Sequence, residues 1–124
     1  MSRFVYYNNN PLGIEEEDCV TRAITLASGL SYNEITKKLN LTAQLLECEK
    51  LCVCCYDFLI EQVLGFPRVK IDRGMTVRDF AEQHPKGIYL LRMDQHITTL
   101  IDGKLYDLWD SSDREITHSW FCGY

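Results

Sequence analysis

The chain has 124 residues, 46% of them hydrophobic and 25% charged, which suits one ordinary hydrophobic core and excludes a multidomain assembly. Thirteen Lys and Arg against eighteen Asp and Glu leave a formal charge of -5, and no basic stretch offers the phosphate-neutralising surface that nucleic-acid binding needs. The acidic balance disfavours anionic membrane surfaces, no apolar run approaches a membrane span, and the first ten residues lack a signal-peptide h-region, so a cytoplasmic location is expected.

From Asp18 to Gly29, apolar Val20, Ala23, Ile24 and Ala27 recur at helical spacing, with Asp18 placed as N-cap and Gly29 as the stop. Ser31 followed by Glu34 is a capping-box pattern. It opens a second helix ending near Asn40, with Tyr32, Ile35 and Leu39 facing inward. Thr42 to Leu64, carrying Leu45, Leu46, Cys52, Cys55, Leu59 and Val63, reads as one long or broken helix stopped by Gly65-Phe-Pro67. Thr76 caps a short helix to Gln83 that ends before His84-Pro85.

Beyond Gly87 the hydrophobic period changes from helical to alternating. Ile88 to Met93, His96 to Ile101, Lys104 to Trp109 and Glu115 to Phe121 are the predicted strands of an antiparallel meander. Helices first and strands last make an α+β fold, and with no repeat or linker residues 1–124 form a single domain.

Asp102-Gly103 between two alternating strands is a type I′ hairpin signal. A two-residue loop there pairs Ile101 with Lys104, Thr98 with Asp107 and His96 with Trp109. His96 and Asp107 then lie diagonally on one face, roughly 7 Å apart at the backbone, within reach of a side-chain hydrogen bond. A His held by a carboxylate is what a general base in acyl transfer needs. Cys19, at the first turn of the first helix, is the candidate nucleophile, because unsatisfied N–H groups and the helix dipole there favour a thiolate. Glu15, Glu16, Glu17 and Asp18 crowd the same terminus and would oppose ionisation. An imidazolium beside the thiol must outweigh them.

The order Cys, His, Asp, with Cys opening a helix and His and Asp on a later antiparallel sheet, resembles the papain-like cysteine peptidases. The blocks Asn8-Asn-Asn-Pro11, Asp18-Cys-Val-Thr-Arg-Ala-Ile24, Gly87-Ile-Tyr-Leu-Leu91, His96-Ile-Thr-Thr-Leu-Ile-Asp-Gly103 and Tyr106-Asp-Leu-Trp-Asp110 are similar to small papain-like proteins of bacteria and their phages. The resemblance covers most of the chain and is weakest between Asn40 and Met75. It implies a papain-like fold, with a nucleophile helix and further helices packed on a C-terminal antiparallel sheet. It also implies Cys19 as nucleophile, His96 as general base and acid, Asp107 as orienting carboxylate, and a peptide or protein substrate.

The family places a side-chain amide upstream of the nucleophile to complete the oxyanion hole. The sixth position before Cys19 is Gly13, so Asn10 or Asn8 is the candidate donor. Trp109 is placed to shield the His96–Asp107 hydrogen bond, with a core aromatic as the alternative. Neither metal nor organic cofactor is expected. The same triad supports amidase, deamidase or acyltransferase chemistry, and a non-catalytic interaction module could retain the fold.

The remaining candidates read more plainly. Six cysteines are present, and Cys48, Cys52 and Cys55 would share one helix face with Cys122 as a remote fourth. That spacing favours packing over a zinc site, which usually shows paired short spacings. His84 and His118 read as structural. Asp110 and Asp113 read as turn caps, with Asp110 an alternative orienting carboxylate if the register slips. Substrate specificity is expected to rest on loops around Pro11 to Glu17 and Gly65 to Gly74, or on a partner chain.

Overall fold

The computed structural model describes residues 4–13, 18–49 and 51–123. Four helices pack on a six-stranded mixed, mostly antiparallel sheet, an α+β arrangement. Helix α1 (Cys19–Ser28) buries Val20, Ala23, Ile24 and Ala27, the stripe expected from the sequence. It stops at Gly29, whose φ of 74° lets its N–H turn back to the Thr25 carbonyl at 3.1 Å. Asp18 occupies the N-cap position, but its carboxylate makes no capping bond and is used elsewhere.

The Ser31–Glu34 capping box forms in both directions and opens α2 (Tyr32–Leu46). The helix does not end near Asn40, because neither Gly nor Pro interrupts it there and Asn is tolerated on an exposed face. It ends at Glu47, in the left-handed region at φ 55°. The long helix expected from Thr42 to Leu64 is therefore divided. After a turn come α3 (Val53–Phe58) and a π-helical turn (Leu59–Val63) that together bury Cys55, Tyr56, Leu59 and Ile60. Leu45, expected inside, is 72% exposed, since the break turns the apolar face of α3 away from the direction set by α2.

Helix α4 (Val77–Gln83) begins with a reciprocal Thr76–Asp79 capping box and buries Val77, Phe80 and Ala81. Strands β3 (Ile88–Met93), β4 (His96–Ile101), β5 (Lys104–Asp107) and β6 (Ile116–Gly123) follow the predicted spans closely. Two short strands were not foreseen: β1 (Phe4–Tyr6) and β2 (Arg68–Val69). The sheet order is β1-β5-β4-β3-β6-β2.

This order corrects the meander. β6 pairs antiparallel with β3, while β1 takes the edge of β5 in parallel. β3 is apolar on both faces, with Leu90 and Leu91 wholly buried, so it requires a neighbour on each side and a helix layer over each face. One layer packs α1, α2 and α3 against Leu90, Ile97 and Trp120. The other packs α4 against Tyr89, Leu91, Leu100 and Leu105. No helix among the described residues is long and apolar enough to cross a membrane.

Candidate active site

The hairpin carries the register that places the site. Asp102 and Gly103 both have positive φ, 48° and 77°, and Ile101 pairs with Lys104, Leu100 with Leu105, and Thr99 with Tyr106. The Asp102 carboxylate also accepts the Gly87 N–H at 2.9 Å, anchoring the turn to the start of β3. That register brings His96 Nε2 to 2.7 Å from Asp107 Oδ2, with both residues buried. The Leu108 N–H donates to Oδ1 of the same carboxylate at 2.7 Å.

Cys19 is the first residue of α1, and its thiol faces the imidazole of His96. Since Nε2 is committed to Asp107, the other ring nitrogen is the one available to the sulfur. Burial by itself would push the Cys19 thiol up. The hydrogen bond and charge of His96, a backbone hydrogen bond at Ile97 and the charge of Arg22 reverse the sign and hold it below its ordinary value. Burial likewise opposes a charged His96, but hydrogen bonds to Asp107 and Cys19, with their charges, raise it to about 9. Asp107 is held below the usual carboxylate range, as His96 outweighs the effect of burial. The three shifts favour a thiolate, an imidazolium and a carboxylate in a row.

Arg22 is the residue the sequence reading missed. Its Nε donates to Asp18 Oδ1 at 2.6 Å and its Nη1 to Asp107 Oδ1 at 3.1 Å, all three side chains being buried. The i,i+4 spacing of Asp18 and Arg22 is a readable signal; the bond to Asp107 is not. Asp18 also accepts from Tyr32 Oη at 2.7 Å and Asn10 Nδ2 at 3.0 Å. Burial would raise Asp18, but the bonds from Arg22, Tyr32 and Asn10 outweigh it and hold its carboxylate below the usual range, with its charge met by the Arg22 guanidinium. Glu15, Glu16 and Glu17 lie outside the described residues.

The two expected oxyanion-hole amides are placed within the loop ahead of α1. Asn10 Nδ2 engages Asp18, Asn10 Oδ1 accepts from the Leu12 N–H at 2.8 Å, and Asn8 Oδ1 accepts from the Asn10 N–H at 3.0 Å. The asparagine beside the constellation is Asn9. Its Nδ2 donates to the Arg22 carbonyl at 3.0 Å, and it lines a small pocket with Cys19, Arg22 and Asp107.

A cleft of about 1020 Å³ opens over Cys19 and His96. Trp109 stands at its edge, its ring 4.7 Å from that of His96 and 41% exposed, so it is a cover rather than a core residue. Leu51, Val53 and Tyr56 line the cleft from the α2–α3 side, and residues 92–97 line it from the β3–β4 turn. The expected contact loops at 11–17 and 65–74 contribute no lining among the described residues; the break between α2 and α3 brings other residues there. His118, read as structural, also lines the cleft and accepts from Arg92 Nη2 at 2.8 Å. Burial and the Arg92 charge lower its pKa, keeping it neutral. Arg92 is itself ion-paired with Asp57 and lies over the rings of Tyr56 and Trp120.

The other candidates are placed as follows. Asp110 accepts from the Ser112 N–H at 3.0 Å and caps that turn. Asp113 pairs with Arg78, and His84 stacks on Phe80. Burial pushes Cys122 up to about 12, where it stays a neutral thiol. Compared with known proteins, the chain matches no family model, no curated protein and no solved structure. The functional reading therefore rests on the geometry of its own residues.

Proposed function

We propose that the chain is a papain-like cysteine hydrolase whose preferred reaction is cleavage of a peptide amide. The observation that carries this reading is His96, bound through Nε2 to Asp107 at 2.7 Å while its ring faces the thiol of Cys19. Cys19 thiolate attacks the carbonyl carbon, forming the C–S bond as the carbonyl π pair moves to oxygen. The first-turn N–H groups of α1, which have no partner within the helix, are the donors this reading assigns to the developing oxyanion. Collapse of the intermediate expels the amine, which takes its proton from His96. Water then attacks the thioester, with His96 accepting its proton, and collapse of the second intermediate breaks the C–S bond, releasing the carboxylic acid and restoring the Cys19 thiolate.

The apolar cleft edge formed by Leu51, Val53 and Trp109 supports an extended substrate with an apolar side chain next to the scissile bond. The test is alkylation by iodoacetamide at mildly acidic pH. Modification confined to Cys19, lost on His96→Ala, is the expected result. Equal, slow modification of all the cysteines would overturn the proposal.

A further inference from the structure

The break between α2 and α3 rearranges the cysteine cluster. On a continuous helix Cys48, Cys52 and Cys55 would share a face. In the structure the Sγ atoms of Cys48, Cys52 and Cys54 all lie within 4.8 Å of one another, with Cys52 and Cys54 at 2.7 Å. Cys55 instead turns into the core, where its thiol donates to the Leu39 carbonyl at 3.6 Å. Cys48 and Cys52 are half-buried and pack against the core beneath α1, α2 and α3, but Cys54 is exposed and has no such role, so core packing alone does not bring the three thiols together. All three lie in the single connection between the helices: Cys48 follows the C-cap of α2, Cys52 is the N-cap of α3 and Cys54 lies in its first turn.

We propose that Cys48, Cys52 and Cys54 bind one zinc ion as three thiolates, and that this ligation fixes the cleft wall carrying Leu51 and Val53. A zinc–sulfur bond of about 2.3 Å in tetrahedral geometry sets sulfurs about 3.8 Å apart. With Cys52 and Cys54 at 2.7 Å and all three sulfurs within 4.8 Å, shifts of about 1 Å bring the cluster to that spacing, the Cys52 and Cys54 sulfurs moving apart and Cys48 adjusting to them. The fourth position faces solvent on the exposed side of Cys54 and takes a water molecule. On binding, three S–H bonds are replaced by three Zn–S bonds and three protons pass to the buffer; no electron is transferred. Leu51 immediately precedes one ligand and Val53 lies between two, and both line the cleft over Cys19. Ligation therefore orders that wall directly.

The test uses the full chain, stripped with chelator, kept reduced and titrated with zinc alone. Equimolar binding is expected, with release of ~3 protons per zinc and slowed amide exchange at Leu51 and Val53. Cys54→Ser, at an exposed position, should lose the zinc while keeping its far-ultraviolet circular dichroism. Cys19→Ser should retain it, so failure of the metal site and failure of the hydrolase reading are distinguishable. Absence of stoichiometric zinc, its retention after Cys48, Cys52 and Cys54 are all changed to Ser, or its loss in Cys19→Ser with retention in Cys54→Ser would each overturn the assignment.

Discussion

Arg22 on α1 donates to Asp107 on β5, 85 residues further along the chain, at 3.1 Å, while the other oxygen of that carboxylate holds His96 at 2.7 Å. One guanidinium thus locks the helix that begins with Cys19 to the strand that orients His96. Because it is planar and forked, it satisfies Asp18 and Asp107 together, which a lysine ammonium does less well.

Arg22→Leu leaves buried Asp18 without its cation and Asp107 with His96 alone, and should cost about 3–5 kcal/mol, read as a lower urea midpoint. Arg22→Lys should recover part of that loss. Equal stability of Arg22→Leu and the parent chain would show that the lock is unimportant.

Asp107→Asn keeps the shape but removes the charge that raises His96. Turnover of a peptide substrate should fall by about 10²–10⁴-fold, as for other orienting carboxylates. Cys19 alkylation at mildly acidic pH should slow with it, because less imidazolium remains to hold the thiolate. Rapid alkylation by the Asn variant would place the thiolate's stabilisation elsewhere.

The pH dependence of Cys19 alkylation should rise below the ordinary thiol value of 9.0, since the hydrogen bond and charge of His96, with Arg22, outweigh burial. Peptide turnover should follow the same acid limb and decline as pH passes about 9, where His96 loses the proton the leaving amine needs. In His96→Ala the alkylation limb should move upward, as burial then acts on the thiol with less opposition. A limb unmoved by that substitution contradicts the ion pair.

Asp18 and Asp107 both titrate below the ordinary 3.8 in the folded chain. The stability they contribute is present above 3.8 and is lost as pH falls through their folded values. Urea midpoints measured from neutral to acid pH should therefore drop on the acid side, and Asp18→Asn should flatten that drop. An acid limb as steep in the variant as in the parent chain would remove Asp18 from the account.

Trp109→Ala uncovers the His96 ring. Aromatic stacking of this kind contributes about 0.5–1.5 kcal/mol, so kcat/KM should fall by roughly 2- to 10-fold. Stability should hardly change, since Trp109 is 41% exposed.

Local signals carried much of this molecule. The Ser31–Glu34 and Thr76–Asp79 pairs, the stop at Gly29 and the Asp102-Gly103 turn each depend on residues a few positions apart, and each forms. The turn geometry propagates along its two strands, so the bond between His96 and Asp107 was legible from arithmetic on the register. The length of α2 was not legible, because helix ends at weak breakers such as Asn40 depend on what the helix packs against.

What the sequence by itself determined is therefore the set of elements and the one long-range pair that a two-residue hairpin dictates. Only the tertiary structure decided that β6 returns to β3, that Arg22 joins Asp18 to Asp107, that Asn9 lies beside the constellation, and that Cys54 replaces Cys55 in the thiol cluster. These relationships join segments with no shared local period. They follow from burying both faces of β3 and satisfying the charges enclosed with them, which requires the whole chain at once.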